Sequence, residues 1–240
     1  MRKWRGAGAC TGFLLLGMFV GISGWAQNGA AAKQPTDTKP KTTRTQMSNE
    51  GSLLHPGTLN AKAPEEYTVK FVTTRGDFTV KVKREWAPLG ADRFYNLAKH
   101  HFFDGAAFFR VVPGFVVQFG LSADPAVSAA WQKATFKDDP VKQSNHKGFL
   151  TFATAGPNTR TTQLFINLGD NARLDSMGFS AFGQVSEGMD VVEHIYSGYG
   201  ERPDQGAITN QGKAYLDKNF PKLDSVKSTV VTPAAMAVPK

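Results

Sequence analysis

Apolar and polar residues alternate strictly in two stretches of the chain, residues 67–71 and 78–82. In both stretches every second residue is Tyr, Val or Phe, and the residues between them are Thr or Lys. A period of two predicts β-strands that turn one face toward a core. Gly76 lies in the connection between them and favours a tight turn, so the two stretches are predicted to form an antiparallel hairpin.

The pattern changes to a helical period after Pro88. Phe94, Leu97 and Ala98 have the i, i+3, i+4 spacing of a single helix face. Proline is favoured in the first turn of a helix, because its missing N–H would have no partner there. A helix is therefore predicted to begin at Pro88.

The remainder of the chain as far as Val185 consists of short apolar runs separated by Gly, Pro, Asn and Asp. This pattern is typical of an all-β barrel or sandwich. A second short helix is predicted at about Met189–Tyr196. A third is predicted within residues 210–220, and an edge strand within residues 225–231.

The N-terminus has the three parts of an export signal. Basic residues within the first five positions precede an apolar run from Phe13 to Ile22, and Gly24 and Ala26 have the −3 and −1 spacing of a cleavage site. Residues 1–26 are therefore predicted to be a signal peptide, cleaved after about Ala26, with an uncleaved N-terminal anchor as the alternative. Export to a periplasm or secretion follows from this interpretation.

Composition divides the rest into three parts. Residues 27–63 are rich in Ala, Thr, Lys and Pro, which predicts a flexible linker. Residues 64–232 are predicted to form one domain and residues 233–240 a tail.

The formal charge of +8 is concentrated before this domain, because residues 64–240 carry 20 basic and 18 acidic side chains. A nearly neutral folded part argues against nucleic-acid binding.

The residues from Phe108 to Gly120 contain a single charged side chain, Arg110, among mostly apolar neighbours. They are predicted to form a largely buried strand–turn–strand segment. A guanidinium in such a place either pairs with a carboxylate from elsewhere in the chain or donates to a ligand. The residue pattern by itself leaves these two alternatives equally open.

Two blocks carry a resemblance to a known family. The first reads Arg-Val-Val-Pro-Gly-Phe at residues 110–115, and the second reads Ala-Gly-Pro-Asn-Thr at 155–159, followed by Gln-Leu-Phe-Ile at 163–166. Together they resemble the signature blocks of the cyclophilin-type peptidyl-prolyl cis-trans isomerases, over about residues 67–196. The resemblance implies a mainly β fold, namely a closed antiparallel eight-stranded β-barrel with two flanking helices and a short C-terminal helix.

The resemblance also implies an active site for rotation of Xaa-Pro bonds. Arg110 would donate to the prolyl nitrogen, Phe115 and Phe165 would hold the proline ring, and Gln118 would contact the moving carbonyl. The peptide groove and the closure of the pocket would be provided by Ala153, Thr154, Ala155, Gln163, Leu174 and Phe179. No metal and no cofactor are expected, because non-covalent stabilisation suffices for this reaction.

The predicted partners are proline-containing segments of exported proteins, with no nucleic acid and no membrane span after signal cleavage. A monomer is expected. The alternative is a catalytically inactive proline-peptide-binding chaperone on the same fold, and an unrelated β-sandwich adhesin is a third reading. Arg173 stands where the best-known eukaryotic members of the family carry a tryptophan, so cyclosporin sensitivity does not follow from the resemblance. Residues 121–145 match the family poorly and are expected to form loops.

Overall fold

The computed structural model describes residues 53–234. The predicted signal peptide, the linker up to residue 52 and residues 235–240 lie outside this part. The strands are β1 (Glu66–Thr73), β2 (Asp77–Lys83), β3 (Arg110–Val112), β4 (Val116–Phe119), β5 (Phe149–Phe152), β6 (Leu164–Asn167), β7 (Ala181–Glu187) and β8 (Val226–Pro233). The helices are α1 (Pro88–Lys99), α2 (Pro125–Trp131), α3 (Met189–Glu193) and α4 (Gln205–Asn219), with 3₁₀ segments at Pro56–Thr58 and Ala172–Met177.

All eight strands form one antiparallel sheet in the order β3-β4-β6-β5-β7-β2-β1-β8. The sheet is curled into a half-barrel, and the closed barrel that the sequence predicted is not observed among the described residues. β3 and β8 remain the two edge strands. The chain just before β3 approaches the start of β8 through a single bridge between Ala107 and Ser225, and three backbone hydrogen bonds lie beside it. This contact joins only one end of the two edges.

The predicted hairpin is confirmed as β1 and β2. Tyr67 pairs with Val82 and Phe71 pairs with Phe78 in the register. Every second residue of both strands is buried, as the alternation of apolar and polar residues requires. The rings of Phe71 and Phe78 stack with their centroids 4.8 Å apart, which places this hairpin at the centre of the aromatic core.

Helix α1 begins at Pro88 as predicted, and it packs Phe94 and Leu97 into the core. Its N-cap residue is an alanine, which offers no side-chain acceptor. Asp139 provides the acceptors from a distant loop, since its Oδ1 accepts from the Leu89 N–H at 3.1 Å and its Oδ2 from the Gly90 N–H at 2.8 Å. Burial raises the pKa of Asp139, although these two hydrogen bonds oppose the rise.

We expect Asp139→Ala to lower the free energy of unfolding by about 1–2 kcal/mol, because two N–H groups at the helix start lose their acceptor. Urea denaturation of the variant beside the wild type measures this loss. Asp138→Ala is not a suitable control, since Asp138 pairs with the buried Arg160. Lys137→Ala is the control, because it removes an exposed side chain two residues before Asp139. Equal midpoints for Asp139→Ala and Lys137→Ala would contradict a capping role.

The other helices differ from the sequence prediction in number and extent. Helix α2 lies within residues 121–145, where loops were predicted, and its N-cap Asp124 accepts from the Ala126 N–H at 2.8 Å. Helix α3 ends at Glu193 instead of Tyr196. Helix α4 begins at Gln205, earlier than predicted, and is interrupted at Gly212 with φ +59°. A Cβ at Gly212 would lie 2.2 Å from the Ala123 carbonyl oxygen, so this close approach to α2 requires glycine.

Residues 53–63, which the sequence assigned to the linker, pack against the domain. Leu53, Leu59 and Ala63 are buried in the core. The Trp131 indole N–H donates to the Leu53 carbonyl oxygen at 2.8 Å, and the Asn96 amide exchanges two hydrogen bonds with the backbone of Ala61. The ordered packing therefore already includes Leu53, which lies before the predicted boundary at residue 64.

Candidate active site

The β3–β4 hairpin positions the side chains of the candidate site. Arg110 on β3 lies opposite Gln118 on β4, and Gln118 lies opposite Phe165 on β6. Residues opposite each other in adjacent strands point to the same face of a sheet, so these three side chains form one row. The turn between the strands includes Gly114, whose φ of +73° is readily adopted by glycine.

The Arg110 guanidinium is half-buried, with 25% of the side chain exposed, and it is held from two sides. Its Nη1 donates to the Gln118 Oε1 at 3.2 Å, and its Nε donates to the Glu201 Oε1 at 2.7 Å. Its Nη2 contacts the same carboxylate oxygen. The guanidinium carbon also lies 5.6 Å from the centre of the Phe115 ring. The first alternative left open by the sequence is therefore observed, since Arg110 has a carboxylate partner. Donation to a ligand stays a prediction.

An apolar cluster lies beside Arg110, and we refer to its partly exposed face as the recess. Phe165 and Leu174 are buried in it together with Val116, and Phe115, Ala153 and Phe179 pack against them. The ring of Phe179 meets the ring of Phe165 edge-on, with centroids 5.6 Å apart. The recess is lined by carbon atoms and has a guanidinium at its rim, which suits an apolar ring attached to a polar backbone.

Two glutamines link Arg110 to the next part of the site. The Gln118 Nε2 donates to the Gln163 Oε1 at 2.9 Å, so the two amides hold each other in place. The backbone of Gln163 accepts from the Ala153 N–H at 2.9 Å. The row from Arg110 to Ala153 is thus a continuous hydrogen-bonded edge of the recess.

A cavity of about 370 Å³ lies next to the recess and shares Gln118, Ala153 and Gln163 with it. No charged residue from the described part of the chain lines this cavity. Its lining is mainly polar and includes Thr154, Ala155, Ser128, Gln132, Thr159, Thr161, Thr162, Gln205 and Thr209. The neutral lining fits a small uncharged group of a bound peptide.

Thr154 does not offer its hydroxyl to the cavity in this structure. The Gly156 N–H donates to the Thr154 Oγ1 at 3.1 Å, and the same hydroxyl lies 2.9 Å from the Thr159 Oγ1. Thr154 therefore stabilises the loop that carries Ala155. Of the residues proposed from the sequence, Thr154 and Ala155 line the cavity alone, and Gln118, Ala153 and Gln163 lie where the cavity meets the recess. The structure brings Arg110, Phe115, Phe165, Leu174 and Phe179 together at the recess.

A buried polar network supports the turn beneath the recess, and the sequence did not predict it. Asn171 donates from Nδ2 to the Phe115 carbonyl oxygen at 2.9 Å and to the Asn167 Oδ1 at 2.8 Å. Asn145 donates to the Phe179 carbonyl oxygen at 2.8 Å and to Asp175. Burial raises the pKa of Asp175, but hydrogen bonds from Ser144 and Asn145 outweigh it and hold the pKa below its usual value.

Arg93 lies behind the cavity wall without a carboxylate partner among residues 53–234. It donates to the Ala134 carbonyl oxygen at 2.7 Å, and its guanidinium lies 5.1 Å from the ring of Trp131. Burial lowers the pKa of Arg93 to about 10. Arg93 lies on α1, and its guanidinium packs on the ring of Trp131. This contact helps to fix Trp131, which lines the cavity.

Glu201 also belongs to the site, although the sequence did not predict it. It lies 91 residues from Arg110 in the chain and belongs to no motif. Its loop is attached to β3, since the Val111 N–H donates to the Gly200 carbonyl oxygen at 3.2 Å. The carboxylate fixes the Nε edge of the guanidinium while Gln118 holds the other edge, which preorganises the donor.

We expect Glu201→Ala to lower kcat/KM for a prolyl peptide about three- to tenfold, because Arg110 loses one of its two anchors. Glu201→Gln should lower kcat/KM less, since an amide oxygen can still accept from Nε. Protease-coupled or NMR exchange assays of catalysed isomerisation measure both. Glu187→Ala removes an exposed carboxylate on β7 and serves as control. An increase in kcat/KM for Glu201→Ala would show that the carboxylate competes with substrate instead.

Two features are absent from residues 53–234. They contain no group of three His, Cys, Asp or Glu side chains arranged to hold a metal ion. No helix in the same range combines the length and the apolar character needed to cross a membrane.

Comparison with known proteins gives a consistent result. The family model for the cyclophilin type peptidyl-prolyl cis-trans isomerases matches residues 68–212. A peptidyl-prolyl cis-trans isomerase of Acinetobacter baylyi is 32% identical over 151 residues, which cover 60% of this chain and 78% of that protein. Peptidyl-prolyl cis-trans isomerase B of Escherichia coli is 31% identical over 68% of this chain and 97% of its own length. A crystal structure of a cyclophilin-type isomerase from Cryptosporidium parvum superposes with a TM-score of 0.53 at 20% identity, covering 71% of this chain and 99% of that one.

Proposed function

The chain belongs to the cyclophilin-type peptidyl-prolyl cis-trans isomerases and is an enzyme of that class, and we propose that it accelerates the folding of exported proteins by isomerising their Xaa-Pro bonds. Folding steps limited by prolyl isomerisation take ~10–100 s without a catalyst. The substrates are exposed proline-containing segments of unfolded chains, and the enzyme acts as a monomer.

The mechanism we propose needs no covalent intermediate. Rotation about the prolyl peptide bond has a barrier of ~18–20 kcal/mol because the amide resonance must be broken. In the twisted state the nitrogen regains its lone pair and can accept a hydrogen bond. Arg110 donates to that lone pair, the recess of Phe115, Phe165 and Leu174 holds the proline ring, and Gln118 contacts the carbonyl that moves.

The free energies show that Arg110 cannot act alone. An acceleration of about 10⁵-fold requires about 7 kcal/mol of transition-state stabilisation. One hydrogen bond to a charged donor contributes ~1.5–3 kcal/mol. The remainder comes from a groove that fits the twisted amide better than either planar form. The fixed row of Arg110, Gln118 and Gln163 supports this, because prealigned donors need no reorganisation during the reaction.

The observation that carries the proposal is the placement of Arg110 beside the apolar recess, within 5.6 Å of the Phe115 ring centre. The test is catalysed cis/trans exchange of a short Ala-Pro peptide, compared with peptide binding measured by titration. Acceleration proportional to enzyme concentration supports the proposal. Saturable binding without acceleration would instead establish the inactive proline-peptide-binding chaperone.

Export is proposed from the N-terminal sequence, which lies outside the described residues. Full-length protein expressed in a bacterial host is expected to appear in the periplasm or medium with a new N-terminus after about residue 26. Sequencing that N-terminus by Edman degradation tests the cleavage site. A protein that keeps its first residues and stays with the membrane would favour the uncleaved anchor.

A further inference from the structure

A second guanidinium, that of Arg173, lies at the recess. The Arg173 guanidinium carbon is 5.1 Å from the centre of the Phe115 ring, closer than that of Arg110. The two cations nevertheless have different surroundings. Arg110 is half-buried and paired, whereas the Arg173 side chain is exposed and has no carboxylate oxygen within 4.0 Å in the range 53–234.

The local structure holds Arg173 at this place. It lies in the 3₁₀ segment Ala172–Met177, between two anchors. Asn171 before it donates to the Phe115 carbonyl oxygen at 2.9 Å, and Leu174 after it is buried in the recess. Because both neighbours are fixed to the recess, the base of the Arg173 side chain is fixed as well.

The acidic side chains nearest to Arg173 in sequence are engaged elsewhere. Asp175 accepts hydrogen bonds from Ser144 and Asn145, and Asp170 lies 3.1 Å from the His146 ring nitrogen. Glu201 is held by Arg110. The positive charge of Arg173 is therefore not neutralised by any of these groups and is available to a bound chain.

We propose that Arg173 gives the enzyme a preference for prolyl segments that carry an acidic side chain within two residues of the proline. This inference rests on the proposed isomerase function and names a substrate class for it. The guanidinium covers the Phe115 ring, which forms part of the wall that would hold the proline, so residues flanking the proline pass within its reach. The neutral cavity on the other side of Gln118 offers no charge, so the acidic preference belongs to the Arg173 side.

The test uses two series of pentapeptides, Gly-Ala-Pro-Xaa-Gly and Gly-Xaa-Ala-Pro-Gly, with Glu, Gln or Lys as Xaa. Catalysed cis/trans exchange measured by NMR gives kcat/KM for each peptide. We expect the Glu peptide of at least one series to exceed its Gln counterpart by about three- to fivefold at low salt, with Lys the poorest. About 1 M salt should reduce the ratio toward one, because the Debye length then falls to ~3 Å.

Variants separate Arg173 from other causes. Arg173→Gln should remove the Glu-to-Gln preference, Arg173→Lys should retain part of it, and Arg173→Glu should invert it in favour of Lys. Lys227→Gln, which removes one exposed positive charge on β8, should leave the ratio as in the wild type. Each ratio compares two peptides with the same protein, so a change in overall activity does not obscure it.

Two results would overturn the inference. Equal turnover of the Glu, Gln and Lys peptides by an active wild-type enzyme would do so, and so would a preference that survives Arg173→Gln. Failure of the wild type to accelerate any peptide would instead overturn the proposed function, and this inference with it.

Discussion

Replacing Arg110 by alanine is expected to lower kcat/KM for an Ala-Pro peptide by about 10- to 150-fold. This range corresponds to the ~1.5–3 kcal/mol contributed by a hydrogen bond from a charged donor. The recess of Phe115, Phe165 and Leu174 remains in the variant, so peptide binding should weaken much less than turnover. NMR exchange gives the catalysed rate, and titration of the same peptide gives the affinity.

Two further variants define what Arg110 contributes. Arg110→Lys keeps the positive charge but cannot reach Gln118 and Glu201 together, so we expect a loss close to that of alanine. Lys70→Ala removes an exposed cation from β1 and should leave kcat/KM unchanged. Full activity in Arg110→Ala would show that the groove alone isomerises the bond and that the guanidinium is only an ion-pair partner of Glu201.

Replacing Trp131 by alanine is expected to lower the free energy of unfolding by about 3–5 kcal/mol, the usual cost of removing a large buried aromatic side chain. The side chain is 1% exposed and meets the ring of Phe102 edge-on at 5.5 Å. The Arg93 guanidinium lies over its ring, and its indole N–H donates to the Leu53 carbonyl oxygen. Removal of Trp131 takes away one of the two aromatic neighbours of a buried cation, since the Phe136 ring remains 4.9 Å from the Arg93 guanidinium, and it releases the segment that begins at Leu53.

Guanidinium chloride denaturation followed by far-UV circular dichroism measures this loss. Trp131→Phe is the matched variant, because it keeps a ring beside Arg93 and loses the indole N–H. We expect it to cost about 1–2 kcal/mol. Trp86→Phe changes the other tryptophan among residues 53–234 and controls for the change in aromatic content. A midpoint for Trp131→Ala equal to that of the wild type would show that residues 53–63 and α2 do not contribute to the cooperative unit.

The features that the sequence predicted correctly depend on short-range patterns or on motifs. The β1–β2 hairpin follows from alternation of apolar and polar residues, and the start of α1 follows from Pro88 and the apolar spacing after it. The site residues came from two motifs whose separation along the chain is characteristic of one family. The structure brings most of these residues together at one recess, and their roles in catalysis remain predictions for the variants above.

The features that the sequence did not predict depend on contacts between distant residues. Asp139 caps α1 from 50 residues away, and Glu201 pairs with Arg110 across 91 residues. Neither has a local signal, because any exposed acidic residue has the same appearance in a sequence. Helix α2 does have a local signal, an Asp at the N-cap followed by Pro125, but the loop prediction for residues 121–145 depended only on their poor match to the family.

The position of β8 at the edge of the sheet determines the order in which the fold can be completed. The last described strand pairs with the first one, from Tyr67 opposite Pro233 to Thr73 opposite Val226. A nascent chain that still lacks its C-terminus must therefore leave β1 with unpaired N–H and C=O groups along one side. Contacts over so long a stretch of chain form slowly, because the entropy of loop closure is lost before any pairing is gained. The pairing of β1 with β8 is therefore completed only when the residues up to Pro233 are available to the folding chain.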